Sequence, residues 1–586
     1  MPRDGLTARY SAVVSRLFET SPLRKRAFRL FYFGSVGAAL GYTMQATIAA
    51  WLMATLTPSE LMVALVQTAS TAPTLLFGLF AGTLADIVDR RRLILVTQIG
   101  LLAATLLLGV ATLAGVVGPA SLLLLTFVVG AGFTFYLPAQ QASINELVPR
   151  VELPRAVALG AVAFNVARAV GPALAGAIAA WLGSGSALVA SALFFVVMIV
   201  AMRQHKRRDI ALPGVPERLL SGMMSGLRYA RHSPAMRSFI VRNLSFAVCA
   251  SALWALLPVI ARDELGLGAG GYGLLSAAFG AGAVAGALWL PRHLQRRSLN
   301  SVTLSGVVLW TAALLLVAAA RYTALALVGA CGCGMAWVLV FASLSAGTQS
   351  TAPAWVRARA VSMNLVAVQA SIALGSALWG ALASAAGVRI SLAVSAGALV
   401  LLHVLNRRVV VAMGKEADVM PGAQLPELTI SGEPLPDDGP VLIQIEYRID
   451  ASNRNAFLRA IRRVGPTRRR NGATSWRVYR DLGEEDRYVE RYVIESWAEY
   501  VRLRSRMTAR GVRGHNAARI DARGAAQQVN TAGQRHRTIA TPGFRRPSAC
   551  YATRFSRSPS ALRSAPRSRR MPMRACGPST ISPRAR

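Results

Sequence analysis

Apolar stretches of about 20 residues, the length that a helix needs to cross the hydrocarbon core of a bilayer, recur along most of the chain. Short polar or charged segments separate these stretches. Length and flanking charge predict twelve membrane-spanning helices, over residues 30–55, 61–85, 93–117, 121–143, 156–181, 186–202, 239–261, 271–291, 299–319, 322–346, 357–384 and 389–412. The chain is therefore predicted to be a polytopic membrane protein.

The twelve predicted helices form two sets of six that repeat each other. The offset that carries Gly171 onto Gly375 also carries Gly176 onto Gly380 and Asn165 onto Gln369. Tandem duplication of a six-helix unit explains this match. The sequence thus predicts an all-α membrane protein made of two six-helix pseudo-repeats.

Composition and charge agree with this fold. Of the 586 residues, 53% are hydrophobic and 16% are charged, and the formal net charge is +38. In a soluble fold that charge would suggest nucleic acid, but here the basic residues lie between apolar stretches and in the tail, so the bilayer is the expected partner. Lys and Arg concentrate in alternate loops, including Arg90 to Arg92 and Arg155. This bias predicts that both termini are cytoplasmic; a location in the inner membrane of a bacterium is implied only by the family resemblance that the motifs below carry.

A small soluble region follows the twelve helices. Strands are predicted at 441–447, 475–480 and 489–495, with helices at 456–464 and 497–508. No acidic residue follows Asp521, and Arg, Ser and Pro dominate the remaining chain. The predicted organisation is a basic cytoplasmic N-terminus (1–29), a six-helix bundle (30–202), a basic cytoplasmic linker (203–238), a second bundle (239–412), a linker (413–440), an α+β domain (441–530) and a disordered tail (531–586).

The segment after the second predicted helix carries a recognisable motif. Gly82, Asp86, Arg90 and Arg91 match the signature of the major facilitator superfamily between spans 2 and 3, whereas Ile87 and Asp89 depart from it. The resemblance implies a cytoplasmic gate, in which Asp86 pairs with Arg and with a helix N-terminus and holds the two bundles together. The alternative is that Asp86 is an ordinary interfacial acid that balances three arginines.

A second motif lies in the fifth predicted helix, where small residues allow a neighbouring helix to approach closely. Gly160, Gly171, Pro172 and Gly176 match the span 5 signature of the superfamily's exporters, with Arg168 within it. With Pro138-Ala-Gln140 and Glu146-Leu-Val-Pro149, the chain resembles the transmembrane secretion effector branch, which includes the enterobactin exporter. The resemblance implies proton-driven export of a siderophore, drug or similar small molecule by alternating access.

The soluble region has its own resemblance. Asn471-Gly-Ala473, Trp476, Glu490 and Ser496-Trp497 are similar to a cytoplasmic domain fused in some relatives, which itself resembles ferredoxin-like monooxygenases. That likeness leaves two alternatives to an exporter: a membrane-anchored, oxygenase-like enzyme, and a sensor or scaffold that retains the transporter fold. An enzyme is the less favoured reading, since no histidine lies between His403 and His515 to ligate haem.

Polar residues within the apolar stretches are the candidates for a substrate pathway. Arg168 lies deep in a predicted helix, where a charge needs a partner or a polar cavity. It either meets an anionic substrate or pairs with Glu146 or with carbonyl groups near the membrane face. Uncharged candidates for the pathway are Gln45, Gln140, Asn165 and Gln369, although hydrogen bonding between helices explains each equally well.

No cofactor or metal site is predicted. The sequence contains no P-loop, and Cys331-Gly-Cys333 has neither zinc-site nor redox spacing. Protons are the coupling ion that the family resemblance implies, yet the twelve apolar stretches contain no Asp or Glu. The sequence names neither the coupling site nor the oligomeric state.

Overall fold

The structure is a computed structural model that describes residues 22–149, 152–204, 227–353, 356–414, 435, 438–505 and 537–540. Long helices dominate it, and they are α1 (Arg26–Leu56), α2 (Glu60–Ile87), α3 (Arg90–Leu113), α4 (Pro119–Leu147), α5 (Leu153–Gln204), α6 (Pro234–Val259), α7 (Ala269–Arg296), α8 (Leu299–Ala319), α9 (Thr323–Thr351), α10 (Arg357–Ala386) and α11 (Val388–Leu405). Within the described residues, ten helices are long and apolar enough to cross a membrane, by length and composition.

α5 covers two of the predicted helices, because helical structure runs from Leu153 to Gln204 across a bend at Gly183. Gly183 has a φ of 83°, a left-handed conformation that glycine adopts without strain. α11 ends at Leu405, before the predicted end at residue 412, and a single 3₁₀ turn follows at Asn406–Arg408. The other helices match their predicted ranges to within a few residues at each end.

Side-chain caps explain several helix starts. The Asp89 carboxylate accepts hydrogen bonds from the backbone N–H groups of Arg91 and Arg92, at 2.9 and 3.3 Å, and so begins α3. The hydroxyls of Ser59 and Ser298 accept bonds from backbone N–H groups in the first turns of α2 and α8 in the same way. Asp89, a departure from the family motif, is therefore a helix cap.

Helices α1 to α5 form one half of the bundle and α6 to α11 the other. In the first half α1 packs against α5, and α4 packs against α2 and α3. In the second half α9 packs against α7 and α8, and α6 packs against α10. Two seams join the halves, α5 with α7 and α2 with α10. Hereafter the bundle end where α1 meets α2 is the Thr57 end, and the end where α2 meets α3 is the Arg90 end.

The C-terminal part is a four-stranded antiparallel sheet with two helices. Its strands are β1 (Val441–Arg448), β2 (Ser475–Arg480), β3 (Arg487–Ile494) and β4 (Arg537–Ala540), in the sheet order β2-β3-β1-β4, and its helices are α12 (Arg454–Asn471) and α13 (Trp497–Ser505). Alternate residues of β1, such as Ile443 and Ile445, are buried against Phe457 and Ile461 of α12.

One expectation for the tail is wrong, because residues 537–540 lie inside the predicted disordered segment and form β4. They pair with Val441–Gln444 of β1. Residues 1–21, 205–226, 415–434, 506–536 and 541–586 lie outside the described part of the chain. Most of the predicted N-terminus, most of both linkers, the end of the predicted α+β domain and the rest of the tail fall there.

Candidate functional site

The predicted gate motif lies where α2 ends and α3 begins, at the Arg90 end. Asp86 belongs to α2, but its side chain lies outside the described residues. Gly82 is surrounded by open space, since a Cβ built there would meet nothing within 4 Å. The structure therefore brings these four motif residues to one bundle end and leaves the partner of Asp86 as a prediction.

The motif arginines hold helices of the first half together. Arg90 pairs with Glu146 of α4 and donates to the Ala85 carbonyl oxygen at 3.2 Å. Arg91 donates to the carbonyl oxygens of Met202 and Arg203 at the end of α5, at 2.8 and 3.2 Å. Arg90 and Arg91 thus fasten α2, α3, α4 and α5 to one another at the Arg90 end.

The glycines of the exporter motif of α5 do not all meet the same neighbouring helix. Gly160 has only Ile144 of α4 near it, with a built Cβ at 3.9 Å from the Ile144 Cδ1 atom. Gly171 lies against Thr43 of α1, within the same half. Gly176 meets the other half, because a Cβ there would lie 2.8 Å from the Cα of Gly273 in α7.

Pro172 shares the contact between the halves. A Cβ built on Gly273 would lie 2.7 Å from the carbonyl oxygen of Pro172 and 2.8 Å from the Cα of Gly176. Two helix backbones touch here without intervening side chains. The Pro172 to Gly176 segment therefore joins the two halves near the Thr57 end, and Ala169 continues the contact along α5 to Gly280 of α7.

Arg168 occupies the half-buried interior side of α5, with its Cζ 5.2 Å from the centre of the Phe164 ring. Among the described residues Glu146 pairs with Arg90, and no ion pair joins it to Arg168. Tyr42 of α1 is close enough to Arg168 to interact with it electrostatically. Arg168 thus stands among aromatic rings.

The uncharged candidates have different surroundings. Gln140 Nε2 donates to Ser35 Oγ of α1 at 3.2 Å, which is a contact between helices. Gln45 is 1% exposed, and its Nε2 meets no acceptor among the described residues. Asn165 and Gln369 are half-buried, and Asn165 already interacts with another group.

The two halves are fastened together at the Thr57 end. Arg262 Nη1 of the second half donates to the Thr57 carbonyl oxygen at 3.0 Å. Ser384 of α10 accepts from the Leu61 N–H at 3.1 Å and donates to Glu60 at 3.3 Å. The rings of Trp51 and Tyr272 stack across the same end, with centroids 5.9 Å apart. Sequence reasoning missed this closure, because it depends on residues far apart in the chain.

A buried polar cluster in the second half was also missed. Arg242, 6% exposed, donates to the Val409 carbonyl oxygen at 3.1 Å and lies 2.9 Å from His403 Nδ1. Asn243 Nδ2 donates to Asn364 Oδ1 at 2.8 Å. Adjacent polar residues in an apolar stretch were the available signal. These bonds tie α6 to α10 and α11 at the Arg90 end.

Glu490 is the centre of the C-terminal domain and is fully buried. Arg468 Nε and Trp476 Nε1 donate to its Oε1 atom at 3.0 and 2.8 Å, and the Tyr447 hydroxyl donates to Oε2 at 2.8 Å. Burial alone would raise the pKa of Glu490, but Arg468 and these hydrogen bonds outweigh it and hold the pKa below its ordinary value. The cluster is internally satisfied, as a structural core should be. No group of His, Cys, Asp or Glu among the described residues is arranged to hold a metal.

The C-terminal domain contacts the helical bundle through residues 227–232, which are helical. Arg228 Nη1 donates to the Gly472 carbonyl oxygen at 2.9 Å, and Arg470 lies over the Tyr229 ring at 6.0 Å. Tyr229 in turn packs in one cluster with Val356 and Ala360 at the start of α10. The domain is therefore connected to a helix of the second half at the Arg90 end.

Comparison with known families gives one match over most of the chain. A family described as "Transmembrane secretion effector" matches residues 18–534. The multidrug efflux pump Tap of Mycolicibacterium fortuitum is 26% identical over 376 residues, which are 61% of this chain and 90% of that protein. A staphyloferrin A transporter of Staphylococcus aureus is 26% identical over 157 residues, 26% of this chain and 40% of that one.

Solved structures show the same fold at low identity. A bacterial homologue of the human lysosomal transporter Spinster, in an inward-facing and unoccupied conformation, has a TM-score of 0.53 at 15% identity and covers 66% of this chain and 98% of its own. The nucleoside transporter NupG has a TM-score of 0.51 at 14% identity, over 66% of this chain and 99% of its own.

Proposed function

The chain belongs to the transmembrane secretion effector family of major facilitator transporters, and from this premise we propose that it exports small molecules by alternating access. Like the members of its family, it is a multi-pass membrane transporter and not an enzyme. The proposed substrate is a drug, a siderophore or a similar metabolite. Relatives named as an efflux pump and as a siderophore transporter support that range.

The observation that carries the proposal is the closure between the halves at the Thr57 end. Alternating access requires two bundles that separate at one end while they meet at the other. Contacts from Thr57 to Arg262, from Leu61 to Ser384 and from Gly176 to Gly273 join the halves at that end. The ion pairs Arg90–Glu146 and Lys25–Glu152 at the Arg90 end lie within the first half instead. We infer a conformation that opens at the Arg90 end.

The proposed topology has twelve spans. The ten apolar helices include α5 as one helix. Counting its two segments on either side of Gly183 separately and adding α1 gives twelve. Arginines at the Arg90 end support a cytoplasmic position for it, in the inner membrane of a bacterium, and so cytoplasmic termini. The sheet order β2-β3-β1-β4 supports a ferredoxin-like fold for the C-terminal domain, which then begins near residue 441 and extends to β4.

The position of each candidate residue in the fold supports a proposed role. Asp86 remains the proposed latch of the cytoplasmic gate, with Gly82 giving it space and Arg90 and Arg91 fixing the helices around it. Gly171 and Gly160 pack α5 within its own half, whereas Pro172 and Gly176 close the seam with α7. Arg168, Gln45, Asn165 and Gln369 are the proposed pathway residues, and Gln140 supports α1. The proton gradient is the proposed energy source.

Transport by the purified full chain in lipid vesicles tests the proposal. A panel of siderophores and antibiotics is offered under an imposed proton gradient, and export of at least one compound is expected. The Trp51→Ala, Ser384→Ala double variant weakens the closure at the Thr57 end and should slow that export. Vesicles that accumulate no compound while the protein is folded would favour a sensor or scaffold.

A further inference from the structure

Arg168 is a cation on the interior side of a membrane helix. Successive residues of an α-helix are rotated by about 100°, so Arg168 lies roughly 160° around α5 from the exposed Val166 and Val170 and roughly 120° from the exposed Val162. These valines mark the face of α5 that lies away from the other helices. Arg168 consequently lies on a different side of α5 from that face.

Among the residues that the structure describes, no carboxylate pairs with this cation. Within the described residues Arg168 forms neither an ion pair nor a hydrogen bond, and its contacts are Phe164 and Tyr42. The sequence closes the question further, because the twelve predicted apolar segments contain no Asp or Glu. A charge at membrane depth is costly unless a counter-charge or a polar cavity stabilises it. A bound anion would supply the counter-charge that the described residues and the apolar segments do not provide.

We propose that Arg168 is the anion-binding residue of the transport pathway and that the exported compound is an organic anion. This inference rests on the proposed export function and names its substrate class. The planar guanidinium forms paired hydrogen bonds with a carboxylate, sulfonate or phosphate group. The rings around it give the apolar body of the compound a surface, since Phe164 lies beside Arg168 and Tyr42 stacks on Phe133 at 3.9 Å. Gln45, one turn beyond Tyr42, has a free Nε2 donor within the described residues.

Export of an anion also has an energy source that needs no proton-carrying carboxylate. The interior of a bacterial cell is electrically negative, so the membrane potential pushes a negative charge outward. For one charge and 100 mV this drives an outward gradient of about 50-fold. The electrical part of the proton-motive force is thus sufficient for transport by a pathway that has no Asp or Glu.

The test compares three compounds that share a ring system and differ in charge: naphthoate, the neutral naphthamide and the cationic naphthylmethylammonium. Binding to the purified full chain is measured by equilibrium dialysis of radiolabelled compound. Wild-type protein should bind naphthoate at least about tenfold more tightly than naphthamide, the difference expected of a charged hydrogen bond. Arg168→Gln should remove this preference, and Arg168→Lys should retain part of it. Arg237→Gln, which changes an exposed arginine at the start of α6, is the matched control and should bind as wild type does.

Each outcome decides the proposal. Equal binding of the three compounds by the wild-type protein, or binding of none, would overturn it. So would a folded Arg168→Gln protein that still prefers naphthoate. Complete displacement of naphthoate by chloride would also overturn it. Vesicles with a potassium diffusion potential then test transport separately. Naphthoate efflux should follow the imposed potential, with no pH difference present. Binding of naphthoate without any efflux would refute the export function but not the anion site. Efflux of neutral or cationic compounds alone would refute the anion site but not the export function.

Discussion

The Gly176→Ala substitution tests whether the seam between α5 and α7 closes the Thr57 end. The added Cβ would lie 2.8 Å from the carbonyl oxygen of Ala269 and 2.8 Å from the Cα of Gly273, both of them backbone atoms. Ordinary van der Waals contact begins at 3.4 Å, so α7 has to move away by at least the difference. Neither backbone atom can rotate aside as a flexible side chain does.

The free-energy cost follows from this geometry. Overpacking a close contact costs about 1–3 kcal/mol. The cost applies only while the two helices touch, and it therefore disfavours the conformation closed at the Thr57 end by about 5-fold to 150-fold. The variant should spend more time open at that end and export less. Gly397→Ala in α11 is the control, because a Cβ there meets nothing within 4 Å and alanine is the better helix former.

Distances between spin labels on α5 and α7 measure the opening. Labels at Trp181→Cys and Leu274→Cys occupy exposed positions on the two helices, in a chain whose native cysteines are replaced by serine. We expect a longer distance and slower efflux for Gly176→Ala, and no change for Gly397→Ala. An unchanged distance distribution with full efflux in Gly176→Ala would show that this seam does not control the closure.

Four further predictions concern other parts of the chain. Asp86→Asn should leave the protein inserted but lower transport severalfold at equal expression, because the latch loses its charge; wild-type transport would refute the latch. Gly171→Val should lower the thermal stability of the first half by about 1–3 kcal/mol, since the new side chain collides with Thr43, and an unchanged melting temperature would contradict this packing. A chain that ends at Met413 should still give a folded bundle by size-exclusion chromatography, and aggregation would count against that domain boundary. Glu490→Gln should destabilise the C-terminal domain by about 3–5 kcal/mol, because it leaves Arg468 buried without its counter-charge. The lowered pKa of Glu490 makes its contribution complete above the ordinary carboxyl pKa and lost as the pH falls through the lowered value, so wild-type unfolding should be acid-sensitive in a way that the variant is not.

Helix positions could be predicted because membrane helices are marked by length and apolarity alone. The bend at Gly183 falls between two predicted helices, and the caps at Ser59 and Asp89 are ordinary sequence signals. What each glycine touches could not be predicted in this way. Gly171 and Gly176 are alike in sequence, and only the positions of α1 and α7 decide that they contact different halves.

Two misses in the C-terminal domain have local causes. The predicted helix ends at Val464 because Gly465-Pro466 follows, yet α12 continues to Asn471. Sequence reasoning therefore identified Glu490 without Arg468, which lies in the continued part of α12. β4 was missed because Arg537–Ala540 is short and weakly apolar, and it is stabilised by pairing with β1. Removal of residues 531–586 would expose that edge of β1, so such a truncation cannot be expected to be silent.

Glycines at matching positions of the two sequence repeats also make matching contacts in the structure. Gly171 lies against Thr43 of α1, and its repeat partner Gly375 lies against Val248 and Ser251 of α6, each within its own half. Gly176 meets Gly273 of α7, and its repeat partner Gly380 meets Ala64 of α2, each across the halves. One glycine of each pair therefore holds a half together while the other closes the Thr57 end. Pro172 occurs in the first half only, opposite Ser376 in the repeat, so proline is not required for a seam of this kind. In both repeats the Thr57 end is thus joined by a glycine that faces the opposite half, and a neighbouring proline accompanies that glycine in one repeat alone.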